Sequence, residues 1–276
     1  MAPVKELHAA SRAALSNAES VLDTQLGART DANTVGAELF AVVGLLDAQI
    51  GLRRTLADSS TEAAGREALA TSLLRGKVSD ATLAVVGSVA GDRWSNPREL
   101  VDGLESLATT ALLIGAERAG RLDTVEDELF RLGRIVAVEG ALEQALSSRT
   151  APKAAKVELL TTLLGGKVDP TTAALVENLV TAPRGRDVVG GLENLAAAAA
   201  RRRERSVAHV ISAGSLTAAQ QERLSAILQR IYQRPIALHV EVDETLLGGL
   251  VIRVGDEVID GSTIGRLAAA RRTLAG

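Results

Sequence analysis

Thr34-Val35-Gly36-Ala37-Glu38-Leu39-Phe40 returns ninety residues later as Thr124-Val125-Glu126-Asp127-Glu128-Leu129-Phe130, and this recurrence decides the fold class. The same shift sets Leu52 and Leu56 on Leu142 and Leu146. It sets Leu69, Thr71, Leu73 and Leu74 on Leu159, Thr161, Leu163 and Leu164, and Gly76-Lys77-Val78 on Gly166-Lys167-Val168. Thr82, Ala84 and Val86 fall on Thr172, Ala174 and Val176. In a slightly shifted register, Gly103-Leu104-Glu105-Ser106-Leu107-Ala108 matches Gly191-Leu192-Glu193-Asn194-Leu195-Ala196. A single match is within chance, whereas a gapless series reads as a module written twice.

Each copy has helical spacing. Leu39, Val42, Val43, Leu46 and Ile50 recur at three- and four-residue steps and predict one buried stripe. Leu129, Leu132, Val136 and Leu142 repeat it more loosely. Gly76 and Gly166 stand where a left-handed residue would end the helices of Leu73-Leu74 and Leu163-Leu164. Ser79-Asp80 and Asp169-Pro170 follow as caps of the next helix, Pro170 suiting a first turn. The expectation is two bundles of short antiparallel helices joined by tight turns.

After about residue 205 the pattern changes. Ile236, Leu238, Val240 and Val242 alternate with Ala237, His239 and Glu241, the period of a half-buried strand. Further strands are expected at 250–254, at Val258-Ile259 after a Gly255-Asp256 turn, and at 208–213. Helices are expected at 217–233, capped by Ser215 or Thr217, and at 264–274. The fold class is therefore mostly α: two duplicated helical bundles followed by a small α/β domain, with segments 1–91, 92–205 and 206–276.

Composition removes much chemistry. With no cysteine, thiolate zinc sites and cysteine nucleophiles are impossible. His8, His209 and His239 are scattered, and Phe40, Phe130, Trp94 and Tyr232 are the only aromatics, which disfavours base stacking. A net charge of -3 argues against a phosphate-backbone surface, so no nucleic-acid partner is expected. The N-terminus lacks a signal-peptide core, and the apolar runs 107–116 and 195–200 are too short to span a bilayer. Any membrane association is expected to come through partners.

The glycine–lysine turns at Lys77 and Lys167 are not P-loops. Thr71 and Thr161 occupy the required glycine position, and Val78 and Val168 replace the Ser or Thr. Gly261-Ser262-Thr263-Ile264-Gly265 has the wrong spacing for a nucleophile elbow, so Ser262 or Thr263 reads as an N-cap and Asp260 as a turn acceptor. Glu126, Asp127 and Glu128 read as surface charges near a helix start. Arg201-Arg202-Arg203-Glu204-Arg205 suits either a solvated helix end or an acidic partner. Trp94 suits either a packing anchor or a partner contact. No catalytic residue, cofactor or metal ligand is expected.

The run Asp243-Glu244-Thr245-Leu246-Leu247-Gly248-Gly249-Leu250-Val251-Ile252-Arg253-Val254-Gly255-Asp256-Glu257-Val258-Ile259-Asp260-Gly261-Ser262, followed by Gly265-Arg266-Leu267, resembles the signature of the ATP synthase delta-subunit family. The mitochondrial counterpart is the oligomycin-sensitivity-conferring protein. The resemblance covers about the last two thirds of the chain. It implies a non-catalytic stator protein on the cytoplasmic face of the plasma membrane. Its helical domain would grip N-terminal helices of the alpha subunits, and its C-terminal domain would bind the end of the b subunit. Gly248, Gly249, Gly255, Asp256, Asp260, Gly261 and Ser262 would be structural signature positions.

Residues 1–91 depart from ordinary members and look like the extended delta of actinobacterial enzymes. Some of those are fused behind a membrane-anchored b segment; none is visible here, so a separate b subunit is expected. The expected alpha-helix strip lies in the second copy, between 104–116 and 171–180, at Leu112, Leu175, Val176 and Leu179. The expected b contacts are Leu267, Arg271 and Leu274. The alternatives are a free-standing helical adaptor with a delta-like tail and, less favoured, an enzyme in its own right.

Overall fold

The computed structural model describes residues 7–27, 30–148, 150–205, 207–232, 236–243, 245–246, 248–255 and 257–263. Contacts divide the chain into Met1–Ala199 and Ala200–Gly276. The first unit contains α1 (Ala9–Gln25), α2 (Ala32–Ala48), α3 (Ile50–Ala57), α4 (Ala63–Leu74), α5 (Asp80–Gly91) and α6 (Pro97–Arg118). It continues through α7 (Leu122–Val138), α8 (Gly140–Ser147), α9 (Lys153–Leu164), α10 (Pro170–Thr181) and most of α11 (Val188–Arg205). From α2 onward the second copy repeats the first helix by helix.

The predicted punctuation is present. Gly76 and Gly166 have φ of 72° and 70°, the left-handed conformation that stops α4 and α9. Ser79 caps α5 by accepting from Thr82 N, and Asp169 caps α10 by accepting from Thr171 N, with Pro170 in the first turn. The stripe from Leu39 is shorter than expected. Leu39, Val42, Val43 and Leu46 are buried, but Ile50 is 51% exposed. The helix ends at Ala48, and α3 leaves at 106° to α2, which carries Ile50 off the stripe.

The two copies share a helix. Leu100, Leu104, Leu107, Ala111 and Ile114 of α6 belong to the core formed with α1–α5. Leu112, Leu113 and Ala116 belong to the core formed with α7–α11. No residue of α6 between Glu99 and Ala116 is exposed. Such all-round burial marks a central helix rather than an amphipathic surface one.

The second unit is a four-stranded sheet of order β2-β1-β3-β4 with α12 (Ala218–Tyr232). Its strands are β1 (Val207–Ser212), β2 (Ala237–Val242), β3 (Leu250–Val254) and β4 (Glu257–Asp260). β1 and β2 run parallel with α12 as the crossover, whereas β1–β3 and β3–β4 are antiparallel. Ala208, Val210, Ile252 and Val254 pack with Leu228 of α12. Thr217, rather than Ser215, caps α12: its hydroxyl accepts from Gln220 N while Gln220 Oε1 accepts from Thr217 N, a reciprocal capping box. The expected helix at 264–274 lies outside the described residues.

Candidate functional site

All four residues of the predicted strip are interior. Leu112, Leu175, Val176 and Leu179 are 5%, 1%, 0% and 3% exposed and lie in the second core. Leu112 is also covered by the chain's own α2. A Cβ placed on Gly36 would lie 2.6 Å from Leu112 Cδ2 and 3.2 Å from the Ala108 carbonyl, so α2 runs close along α6. One turn further on, Phe40 packs against both cores.

The ninety-residue shift identifies the surface that stays open. Ala10, Ala13, Asn17 and Thr24 of α1 correspond to Leu100, Gly103, Leu107 and Ile114 of α6. The α6 residues are buried in or against the first core, while the α1 residues are exposed. Along this open face Asn17 Nδ2 donates to Asp92 Oδ2 at 2.9 Å and Ser88 Oγ at 3.4 Å, tying α1 to α5. Ala81, Ala84 and Ser88 of α5 are half-buried beside it. The result is a shallow seam of small side chains, over which another helix can approach closely.

Three polar arrangements hold the bundles, and two of them occur once per copy. The Glu38 carboxylate accepts from Ser79 N, Ser79 Oγ and Thr82 Oγ1 at 3.0, 2.6 and 2.5 Å. Glu128 accepts from Asp169 N and Thr172 Oγ1 at 2.9 and 2.6 Å. Glu128 is thus not a surface charge for its own helix; it holds the N-terminus of α10. Burial works to raise the Glu38 pKa, but the Ser79 and Thr82 hydrogen bonds outweigh it and hold the carboxyl below its ordinary value.

Arg66 and Lys156, also ninety apart, are each 5% exposed. Arg66 donates to the carbonyls of Ala90, Gly91 and Asp92 at 2.8, 2.8 and 3.0 Å. Lys156 donates to those of Leu146 and Val180 at 2.8 and 3.2 Å. Both cations close the C-terminal carbonyls of α5 or α10, where the helix dipole is negative.

The third arrangement is unique. Arg184 and Arg186, between α10 and α11, both donate to Glu105 of α6, Arg186 at 2.6 Å. Arg184 also stands 3.6 Å from Asp102 and 3.8 Å from Asp47 of α2. Burial pushes the Asp102 carboxyl up despite the Arg184 and Arg98 charges. These pairs were not read from the sequence, because their partners lie 79 or more positions apart.

Trp94 is an anchor: 3% exposed, it donates from Nε1 to Val89 O at 2.8 Å and lies against Gly103. In the second unit, Gly248, Gly249 and Gly255 have φ of 146°, 89° and 59°. Thr263 N donates to Gly248 O and Gly261 N to Leu250 O, both at 2.8 Å. Asp260 Oδ1 accepts from Ser262 N at 2.9 Å, and Ser262 is buried. The signature therefore builds a tight backbone crossing that side chains at Gly248 and Gly249 would strain. Asp256 and the three expected b contacts, Leu267, Arg271 and Leu274, lie outside the described residues. Among the described residues no group of three or more His, Asp or Glu could hold a metal ion, and no single helix is long and apolar enough to cross a membrane.

Residues 104–274 match the family model described as the ATP synthase delta (OSCP) subunit. An ATP synthase subunit delta from Nocardia farcinica is 50% identical over 270 residues, covering 98% of this chain and 100% of its own. The chain belongs to the ATP synthase delta (OSCP) subunit family. Delta subunits from Corynebacterium efficiens and Streptomyces griseus are 48% and 46% identical, covering 99% and 98% of this chain and 100% of their own. The duplicated first copy is therefore matched in these actinobacterial delta relatives. A chain from the Toxoplasma gondii mitochondrial ATP synthase hexamer aligns with a TM-score of 0.32 at 20% identity, covering 61% of this chain and 95% of its own.

Proposed function

We propose that this chain is the delta component of an F1Fo ATP synthase stator. It ties the alpha–beta head to the membrane-anchored stalk so that proton-driven rotor torque yields ATP synthesis. Family membership along the whole chain carries this reading. The chain itself is non-catalytic, needs no cofactor, and sits at the cytoplasmic face of the membrane through its partners. Segments 1–91 and 92–205 serve the head, with α6 common to both copies, and segment 206–276 serves the stalk.

The head contact is an amphipathic N-terminal helix of an alpha subunit, and it lies on the first copy. In the second copy the expected strip at Leu112, Leu175, Val176 and Leu179 is interior. Its first-copy counterparts Leu22, Val85, Val86 and Val89 are interior too, so the contact uses another face of the same helices, the small residues Ala10 and Ala13 of α1 beside Ala81 and Ala84 of α5. A helix-in-groove contact needs shape and an apolar strip rather than special chemistry. The stalk contact is the end of the b subunit on the C-terminal unit.

Titrating the full chain with a synthetic alpha N-terminal peptide tests the head contact. One peptide per chain is expected, and Ala13→Arg should weaken it by roughly tenfold or more while the melting temperature holds. Two equivalent peptides per chain, or unchanged affinity in Ala13→Arg, would contradict the assignment to α1.

A further inference from the structure

The face of the C-terminal sheet opposite α12 carries charges that the fold does not use. Strand register sets His239, His209, Arg253 and Val258 side by side across all four strands. Glu241, Ile211, Val251 and Asp260 form the next row. The last turn of α11 adds Arg201 and Glu204, and together with His209, Ile211, Glu241 and Arg253 they line a cleft of about 570 Å³. Among the described residues Arg201, Glu204, Glu241 and Arg253 have no ion-pair partner. His209 and His239 meet edge to face, their ring centroids 5.5 Å apart.

We propose that this cleft receives the C-terminal turn of the stalk helix, with its α-carboxylate held between Arg201 and Arg253. The inference rests on the reading of the C-terminal unit as the stalk-binding part. A helix C-terminus presents unsatisfied carbonyls, the negative end of the macrodipole and, at a chain end, a carboxylate. Two arginines answer those groups with charge-assisted hydrogen bonds. Ile211 and Val251 offer an aliphatic floor to the side chains of that turn. Glu204 and Glu241 answer the basic residues favoured near helix C-termini.

The test uses the full chain and a synthetic peptide of the last twenty or so residues of the b subunit, as free acid and as C-terminal amide. Amidation and Arg253→Gln should each weaken binding roughly tenfold, the scale of one charged hydrogen bond. On the Arg253→Gln chain amidation should cost little more, because both changes remove the same contact. Arg253 is exposed, so an unchanged melting curve accompanies the loss. If the peptide binds but neither change moves its affinity more than about twofold, the cleft assignment is overturned and the stalk reading stands. If neither peptide form binds the wild-type chain, both fail.

Discussion

Gly36 of α2 lies so close to Leu112 of α6 that an added Cβ would come within 2.7 Å of Leu112 Cγ. This contact joins the duplicated copies, because α2 belongs to the first and Leu112 to the core of the second. Substituting Gly36→Leu forces α2 away from α6 and should destabilise the helical unit by about 1–3 kcal/mol. Urea unfolding measures it. A variant as stable as the parent would mean that the two helices separate without loss.

Glu38 and Glu99 make stability depend on acid. At Glu99, burial raises the pKa, but hydrogen bonds from Ser11, His8 and Asn96 bring it below the ordinary value, as those from Ser79 and Thr82 do at Glu38. Each carboxyl titrates lower folded than unfolded, where it sits near 4.5. Between the two values the unfolded chain binds more protons, so stability rises with pH. The contribution is complete above the unfolded value and is lost as pH falls through the folded one. Glu38→Gln should flatten that part of a stability–pH curve; an unchanged slope would contradict the hydrogen-bonded carboxylate.

Among the described residues Lys156 has no acidic partner and relies on two carbonyls. Burial lowers its pKa. Lys156→Ala leaves the Leu146 and Val180 oxygens without this donor and should cost about 1–3 kcal/mol. Lys156→Arg should retain most of the stability, since the first copy uses Arg66 at the same place. Equal losses in both variants, by thermal unfolding, would show that the position needs lysine's shape rather than a cation.

Glu105 holds two guanidinium groups, and its side chain is 9% exposed. Glu105→Ala leaves the half-buried Arg184 and Arg186 without their main acceptor, a loss of about 3 kcal/mol. The double change with Arg186→Ala should recover part of it, because one orphaned charge disappears. Strict additivity in a double-mutant cycle would argue against the pair.

The sequence made the helical repeat legible because caps and stops are local: Gly76, Ser79, Gly166 and Asp169 act within one turn. The strand β2 (Ala237–Val242) was equally visible, since alternation needs no partner. Sharing of α6 was not legible. Its residues 104–116 read as a helix of the second copy, but which core each side chain enters depends on packing from both sides. For the same reason Leu112, Leu175, Val176 and Leu179 resembled a binding strip while filling the interior. Glu38 and Glu128 lay inside the matched repeat, and Arg66 faces Lys156 at the same shift. Charge that persists at helical positions in both copies was the available clue. Arg184 had none, because its first-copy counterpart at the ninety-residue shift is Trp94.

The central claim is mechanical coupling, and ATP-driven proton pumping measures it most directly. Membrane vesicles carrying the synthase are depleted of the delta subunit, then recombined with the purified chain. The account predicts that ATP hydrolysis continues in depleted vesicles without pumping, and that the chain restores pumping. Full pumping in depleted vesicles, or no recovery on adding a correctly folded chain that rebinds them, would contradict it.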